Sequence, residues 1–193
     1  GPKGEGLTIP AKVNYVVKGA RLDALGFSIT GATIVVKSLL DINWLWHKVR
    51  VQGGAYGGFS IFDSQSGIIN FLSYRDPNLL DTLEVYKQTG AYLKALDVDE
   101  AELTKVIIGT IGDMDVYLLP DAKGFTSLRW YLLGTSDDER QRLRDEVLST
   151  SVDDFHQFGE FIERVDPNSA VVALGADDSI QNAGVFAKVT KVL

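Results

Sequence analysis

The chain has 193 residues, 45% of them hydrophobic, which is enough for a real core in one large domain or two small ones and too apolar for intrinsic disorder. Asp and Glu outnumber Lys and Arg by 26 to 19, a net charge of -7 with no long run of either sign, which argues against a general nucleic-acid binder. Cysteine is absent, excluding disulfides, thiolate zinc sites, iron–sulfur clusters and a Cys nucleophile, and residues such as Lys37, Asp41 and Asn43 interrupt every apolar stretch before it reaches membrane-spanning length.

The chain opens Gly1-Pro2, and its only methionine is Met114. Such a start reads as a cleavage scar, so residues 1–6 are expected to be a tag remnant or linker and residues 7–193 a single domain cut from a longer protein, any targeting peptide already removed. Val13 to Val17, β-branched around Tyr15, predicts a buried strand that Gly19 ends. From Ala32 to Val51, apolar residues at Ile34, Val35, Leu39, Ile42, Leu45, Trp46 and Val49 have the spacing of one amphipathic α-helix, stopped by Gly53-Gly54. Phe59 to Phe62 and Ile68 to Tyr74, joined by Asp63-Ser64-Gln65-Ser66-Gly67, predict a hairpin.

Asp76-Pro77-Asn78 supplies cap and turn chemistry for a second helix with Leu79, Leu83, Tyr86, Leu93 and Leu96 on one face. Asp99 and Glu102 have capping-box spacing before a third helix striped by Leu103, Val106, Ile107, Ile111 and Met114. Pro120-Asp121 opens a fourth, with Phe125, Leu128 and Leu132 on one side and Gly134 as C-cap. Ser136 with Glu139, and Ser151 with Asp154, start two more. Ala170 to Leu174 predicts a buried strand and Phe186 to Val192 a final one. Helices grouped between strands argue for an α+β fold, with helices packed on one face of a mostly antiparallel sheet. No linker or internal repeat divides the chain.

His47 and His156 stand in no metal-ligand spacing, and most acidic residues sit at helix starts, where they cap backbone N–H groups. Neither a zincin motif nor a carboxylate pair for glycoside chemistry is identifiable. The most unusual stretch is Arg50-Val51-Gln52-Gly53-Gly54-Ala55-Tyr56-Gly57-Gly58. It follows a helix rather than opening one and fits no phosphate-binding glycine motif. A Gly-rich helix stop is one reading. The other is an Arg and a Tyr presented together to a ligand backbone that the glycines allow close.

Trp44 to Gly58, together with Phe71 to Leu80, Thr104 to Asp113 and Leu119 to Gly124, resembles the C-terminal domain of presequence proteases, a branch of the pitrilysin-type inverted-zincin metallopeptidases. The resemblance covers the chain from about Leu7 onward. It implies the last of four α+β domains in a clamshell that closes around an unfolded peptide, such as a cleaved presequence. Zinc would be held in the N-terminal half of the same protein, with no ligand in this chain, which alone would be inactive. The resemblance further implies that Arg50 and Tyr56 are catalytic, reaching the substrate near the metal, with Gly53, Gly54 and Gly57 (and Gly58 beside them) admitting the substrate backbone. Arg50 is open to two roles, charge stabilisation in the chemical step or substrate anchoring. Trp44 and Trp46 are expected in the core or a domain interface, and Arg75 and Asp76 as a structural ion pair with cap. Expected partners are the N-terminal half and an unstructured peptide, with neither nucleic acid nor membrane. Expected compartments are the mitochondrial matrix or plastid stroma, with bacterial cytoplasm also represented in the family. The rival reading is a non-catalytic subunit of the same fold, serving as scaffold or peptide-binding module.

Overall fold

The computed structural model describes residues 4–22 and 26–192. Six strands, β1 (Gly4–Thr8), β2 (Asn14–Arg21), β3 (Gly57–Asp63), β4 (Ile68–Asp76), β5 (Ala170–Gly175) and β6 (Lys188–Lys191), form one sheet in the order β3-β4-β2-β5-β1-β6. The β3–β4, β4–β2 and β2–β5 pairs are antiparallel, whereas β1 runs parallel to both β5 and β6. β3 is therefore an edge strand. The helices are α1 (Gly31–Leu39), continued without a break by a π-helical segment (Leu40–Gln52), then α2 (Leu80–Lys94), α3 (Glu100–Met114), α4 (Pro120–Leu133), α5 (Asp137–Leu148), α6 (Val152–Val165) and the short α7 (Asp177–Asn182).

Strand alternation makes the sheet two-faced. Val16, Gly58, Ser60, Ile69, Phe71, Ser73 and Ala173 are buried beneath the π-helical segment, α2 and α6, whereas Phe59, Ile61, Tyr74 and Val172 stand exposed on the opposite side. Phe155, Phe158, Phe161, Ile162 and Val165 of α6 complete the core with Leu39, Tyr86 and Leu93. α2 and α6 cross where Gly90 and Gly159 meet: a Cβ on Gly90 would lie 2.8 Å from the Gly159 carbonyl, and one on Gly159 2.8 Å from the Gly90 carbonyl.

The caps expected for α3, α4, α5 and α6 form, whereas α2 starts at Leu80 without a side-chain cap bond. The Asp99 carboxylate accepts from the Glu102 N–H at 2.8 Å, Glu139 accepts from Ser136 N at 2.8 Å, Asp154 accepts from Ser151 N at 2.8 Å, and α4 ends on Gly134 at φ 68°. The Asp99 box stays one-sided because Glu102 Oε1 accepts instead from Asn43 Nδ2 at 2.9 Å.

Four features differ from expectation. Gly4, Glu5 and Gly6, expected within a linker, belong to β1, where Ile180 and Phe186 pack on the bare Gly6 backbone. The second strand continues past Gly19 to Arg21, since the Asn70 side chain fills the space a Cβ on Gly19 would need. α7 carries no helical periodicity long enough to read. The predicted helix 32–51 is continuous but changes register: its last turn donates from Gly53 N to Lys48 O, five residues back, at 3.0 Å. With i→i+5 bonding, neighbours on successive turns are four and five apart rather than three and four. Leu40, Trp44, Leu45 and Val49 are thus buried, while Ile42 and Trp46, assigned to the apolar stripe by α-helical spacing, are exposed.

Candidate functional site

The π-helical segment, the Gly53–Gly58 loop and the ends of β3 and β4 enclose a largely apolar groove of about 720 Å³, lined by Asp41, Ile42, Trp46, His47, Arg50, Tyr56, Gly57, Gly58, Phe59 and Tyr74. Arg50 and Tyr56 come together in it. The Arg50 guanidinium carbon lies 3.9 Å from the centre of the Trp46 ring and 5.7 Å from that of Tyr56, placing the cation between two aromatic rings. Tyr56 meets Tyr74 edge-to-face at 5.7 Å, and Tyr74 meets Tyr15 in the same way at 5.3 Å. Tyr56 remains 64% exposed.

Three anchors hold the loop carrying Tyr56. Tyr56 N donates to the Tyr74 carbonyl at 3.1 Å, Ala55 N donates back to Val49 O at 3.1 Å, and the Asn78 side-chain amide donates to the Gly53 carbonyl. Asn78 is held in turn by Asp76, a fully buried carboxylate that accepts from Asn78 N at 2.8 Å and from Thr82 Oγ1 at 2.6 Å. Asp76, expected as the cap of α2, braces the turn before it instead: the helix follows Leu79 with no side-chain cap bond, and the ion pair with Arg75 does not form among the described residues. Arg75, the sole non-glycine at positive φ (49°) among them, extends instead over the Tyr74 ring. Burial, reinforced by the Asp76 charge, pushes the neighbouring Tyr86 phenol well above its ordinary range. Asp76→Ala removes both acceptor bonds inside the protein and is expected to cost about 2–3 kcal/mol. Chemical denaturation checks this, and a loss below about 1 kcal/mol would contradict the bracing role.

The glycines divide by position. Gly53 ends the helix so tightly that a Cβ would sit 2.6 Å from Val49 O, and Gly54 has φ 79°; neither lines the groove. Gly58 lies against Val49, at 2.7 Å from a built Cβ, letting the helix cross β3 closely. Gly57 faces open space bordered by Phe59. Trp44 is a core residue, as expected, its ring stacked on Tyr92 at 4.4 Å and its Nε1 donating to Thr89 at 3.1 Å.

Tyr74, Phe59 and Asp41 were not singled out by sequence, although Tyr74 lies within a recognised motif. Its pairing with Gly57 across the β3–β4 ladder brings it here. Asp41 Oδ1 accepts from both Ser60 N and Ser60 Oγ at 2.7 Å, covering one donor of the edge strand, while Oδ2 pairs with Lys37 at 2.7 Å. A zinc ion does not fit: only Asp41 and His47 line the groove among His, Asp and Glu side chains, and no cluster of three such groups exists among the described residues. His156 is remote, with Nε2 at 2.9 Å from the Leu96 carbonyl.

Residues 4–177 match the family model described as PreP C-terminal domain. Over 181 residues the chain is 50% identical to presequence protease 1, chloroplastic/mitochondrial, of Arabidopsis thaliana, covering 94% of this chain and 17% of that protein. Among solved structures, pitrilysin superposes with a TM-score of 0.64 at 10% identity, covering 98% of this chain and 21% of that one. The inactive domain of a peptidase M16 from Pseudomonas fluorescens superposes with a TM-score of 0.65 at 16% identity, covering 90% and 43%. Those two likenesses establish the α+β fold. The chain spans only 17% of the length of its Arabidopsis relative. With a family match running from Gly4 to Asp177 and half its residues shared with a presequence protease, the chain belongs to the presequence protease (PreP) C-terminal domain family.

Proposed function

We propose that this chain completes the chamber of a zinc metalloendopeptidase that degrades short unstructured peptides such as cleaved presequences, and that Arg50 and Tyr56 are its catalytic contribution. One observation carries the reading. The two side chains lie in one groove with Tyr56 largely exposed, and the guanidinium is held by ring faces, without a hydrogen bond or ion pair among the described residues. Hydrolysis of a peptide bond places negative charge on the carbonyl oxygen, and a phenol O–H and a guanidinium N–H are suitable donors to it in a largely apolar groove. Gly57 is placed for close approach of the substrate backbone, with Gly53 and Gly54 shaping the loop behind it. The metal belongs to the N-terminal half, as does the nucleophile. The organellar compartment, mitochondrial matrix or plastid stroma, follows the Arabidopsis relative.

The partner that would complete the chamber also accounts for an unburied surface. α4 has no buried residue, and Phe125, Leu128 and Leu132, which share one face of it by spacing, stand exposed. A surface of this kind marks an interface. We assign it to the N-terminal half of the same polypeptide. Phe125→Glu with Leu132→Glu is expected to weaken co-purification of this chain with that half at least tenfold while leaving the circular dichroism of the chain unchanged; full retention would contradict the assignment.

The decisive experiment measures cleavage of a quenched fluorescent unstructured peptide by this chain, by the zinc-bearing remainder, and by both mixed, with and without a chelator. Cleavage by the mixture alone, abolished by chelation, is expected. Parts that associate without cleaving would overturn the catalytic reading in favour of a scaffold.

A further inference from the structure

We infer that Trp46 is a positioning residue that holds Arg50 in the orientation in which it meets substrate; this rests on the reading that Arg50 contacts the substrate. Trp44, two positions earlier, is buried with its Nε1 bonded to Thr89, whereas Trp46 is 44% exposed and directs its ring face at the guanidinium, 3.9 Å away. An indole face attracts a cation electrostatically and leaves the guanidinium edge untouched. All five N–H donors of Arg lie in that edge, so a face-on clamp fixes the group while keeping every donor for a ligand. A carboxylate clamp would consume two of them. The one carboxylate lining the groove, Asp41, is already engaged by Ser60 and Lys37.

The helix register makes the arrangement possible. Arg50 follows Trp46 by four positions, and Trp46 follows Asp41 by five, the two neighbour spacings of an i→i+5 helix. Asp41, Trp46 and Arg50 therefore line one groove. In an α-helix, at about 100° per residue, Asp41 and Arg50 would point to roughly opposite sides. The π segment is thus a device that stacks a braced acid, an aromatic platform and a free cation on a single face.

The test is a double-mutant cycle in the full-length polypeptide that carries this domain, with Trp46→Ala, Trp46→Phe, Arg50→Ala and Trp46→Ala/Arg50→Ala, reading kcat and KM for an unstructured peptide. Trp46→Ala is expected to lower kcat/KM about 3- to 30-fold, as loss of a cation–π contact does, and Trp46→Phe to recover most of it. In the Arg50→Ala background, removing the indole should change kcat/KM less than twofold, because its target is gone. Should Trp46→Ala fail to fold, Trp46→Leu against Trp46→Phe carries the same cycle. Multiplicative losses, or a Trp46→Ala variant at wild-type activity while Arg50→Ala is impaired, would overturn the positioning role. Wild-type activity in Arg50→Ala would instead overturn the site reading on which it rests.

Discussion

Tyr56→Phe in the full-length polypeptide is expected to slow peptide cleavage about 10²- to 10³-fold, the loss typical of removing one donor to a developing oxyanion. The substitution is informative because it deletes so little. The ring edge that packs on Tyr74, the backbone bond to the Tyr74 carbonyl and the aromatic wall beside Arg50 all survive. A donor used only as charge develops should lower kcat with KM little changed. Arg50→Ala separates the two roles open to the guanidinium: a fall in kcat places it in the chemical step, and a rise in KM with kcat intact makes it an anchor. Single-turnover and steady-state rates on the same peptide measure the difference. Tyr56→Phe at wild-type rate would remove the phenol from the mechanism.

Gly159→Val is expected to destabilise the isolated chain by about 3 kcal/mol, with Gly90→Val similar, near the upper end for inserting atoms into a packed core. Each new Cβ would meet the facing helix backbone at 2.8 Å, and backbone cannot swing aside as the end of a long side chain can. Relief requires α2 and α6 to separate, and with them the contacts of Phe155, Phe158, Leu93 and Tyr86. A lower denaturant midpoint at unchanged m-value measures this. A change below about 1 kcal/mol would mean the crossing tolerates a wider spacing. Gly159→Val offers a further check, since the groove is built elsewhere and any protein still folded should keep its peptide contacts.

The parts of the structure legible beforehand are those governed by neighbours in sequence. Ser136 with Glu139 and Ser151 with Asp154 close their caps across three residues, and Gly134 takes the left-handed conformation that ends α4. The hairpin of β3 and β4 turns on Asp63, whose carboxylate accepts from Gln65 N at 3.0 Å and Ser66 Oγ at 2.6 Å. Those bonds hold the Asp63 carboxyl below its usual range. The α-helical stripe placed Ile42 and Trp46 inside because apolar spacing was read at the wrong period, whereas Phe125, Leu128 and Leu132 fall on one side of α4 as expected and stay exposed among the described residues.

The motif Arg50 to Gly58 was legible as a pair of chemical groups, but not as a site. Sequence by itself determined the α+β class, the caps of α3 to α6, the hairpin and the presence of an arginine and a tyrosine within a few residues of one another, because local hydrogen bonding and side-chain type decide each of these. Tertiary structure decided that β1 lies between β5 and β6, pairing Gly4 with Val171, since the glycine-rich β1 carries no alternation of its own and is specified by what packs on it. Tertiary packing also accompanied the π register, whose spacing buries Val49 against the glycine of β3 and turns Trp46 and Arg50 outward together. The groove exists because Tyr74 and Phe59 arrive from two strands paired across a hairpin while Arg50 arrives from a helix crossing the sheet edge, a meeting that depends on long-range packing and that no local pattern encodes.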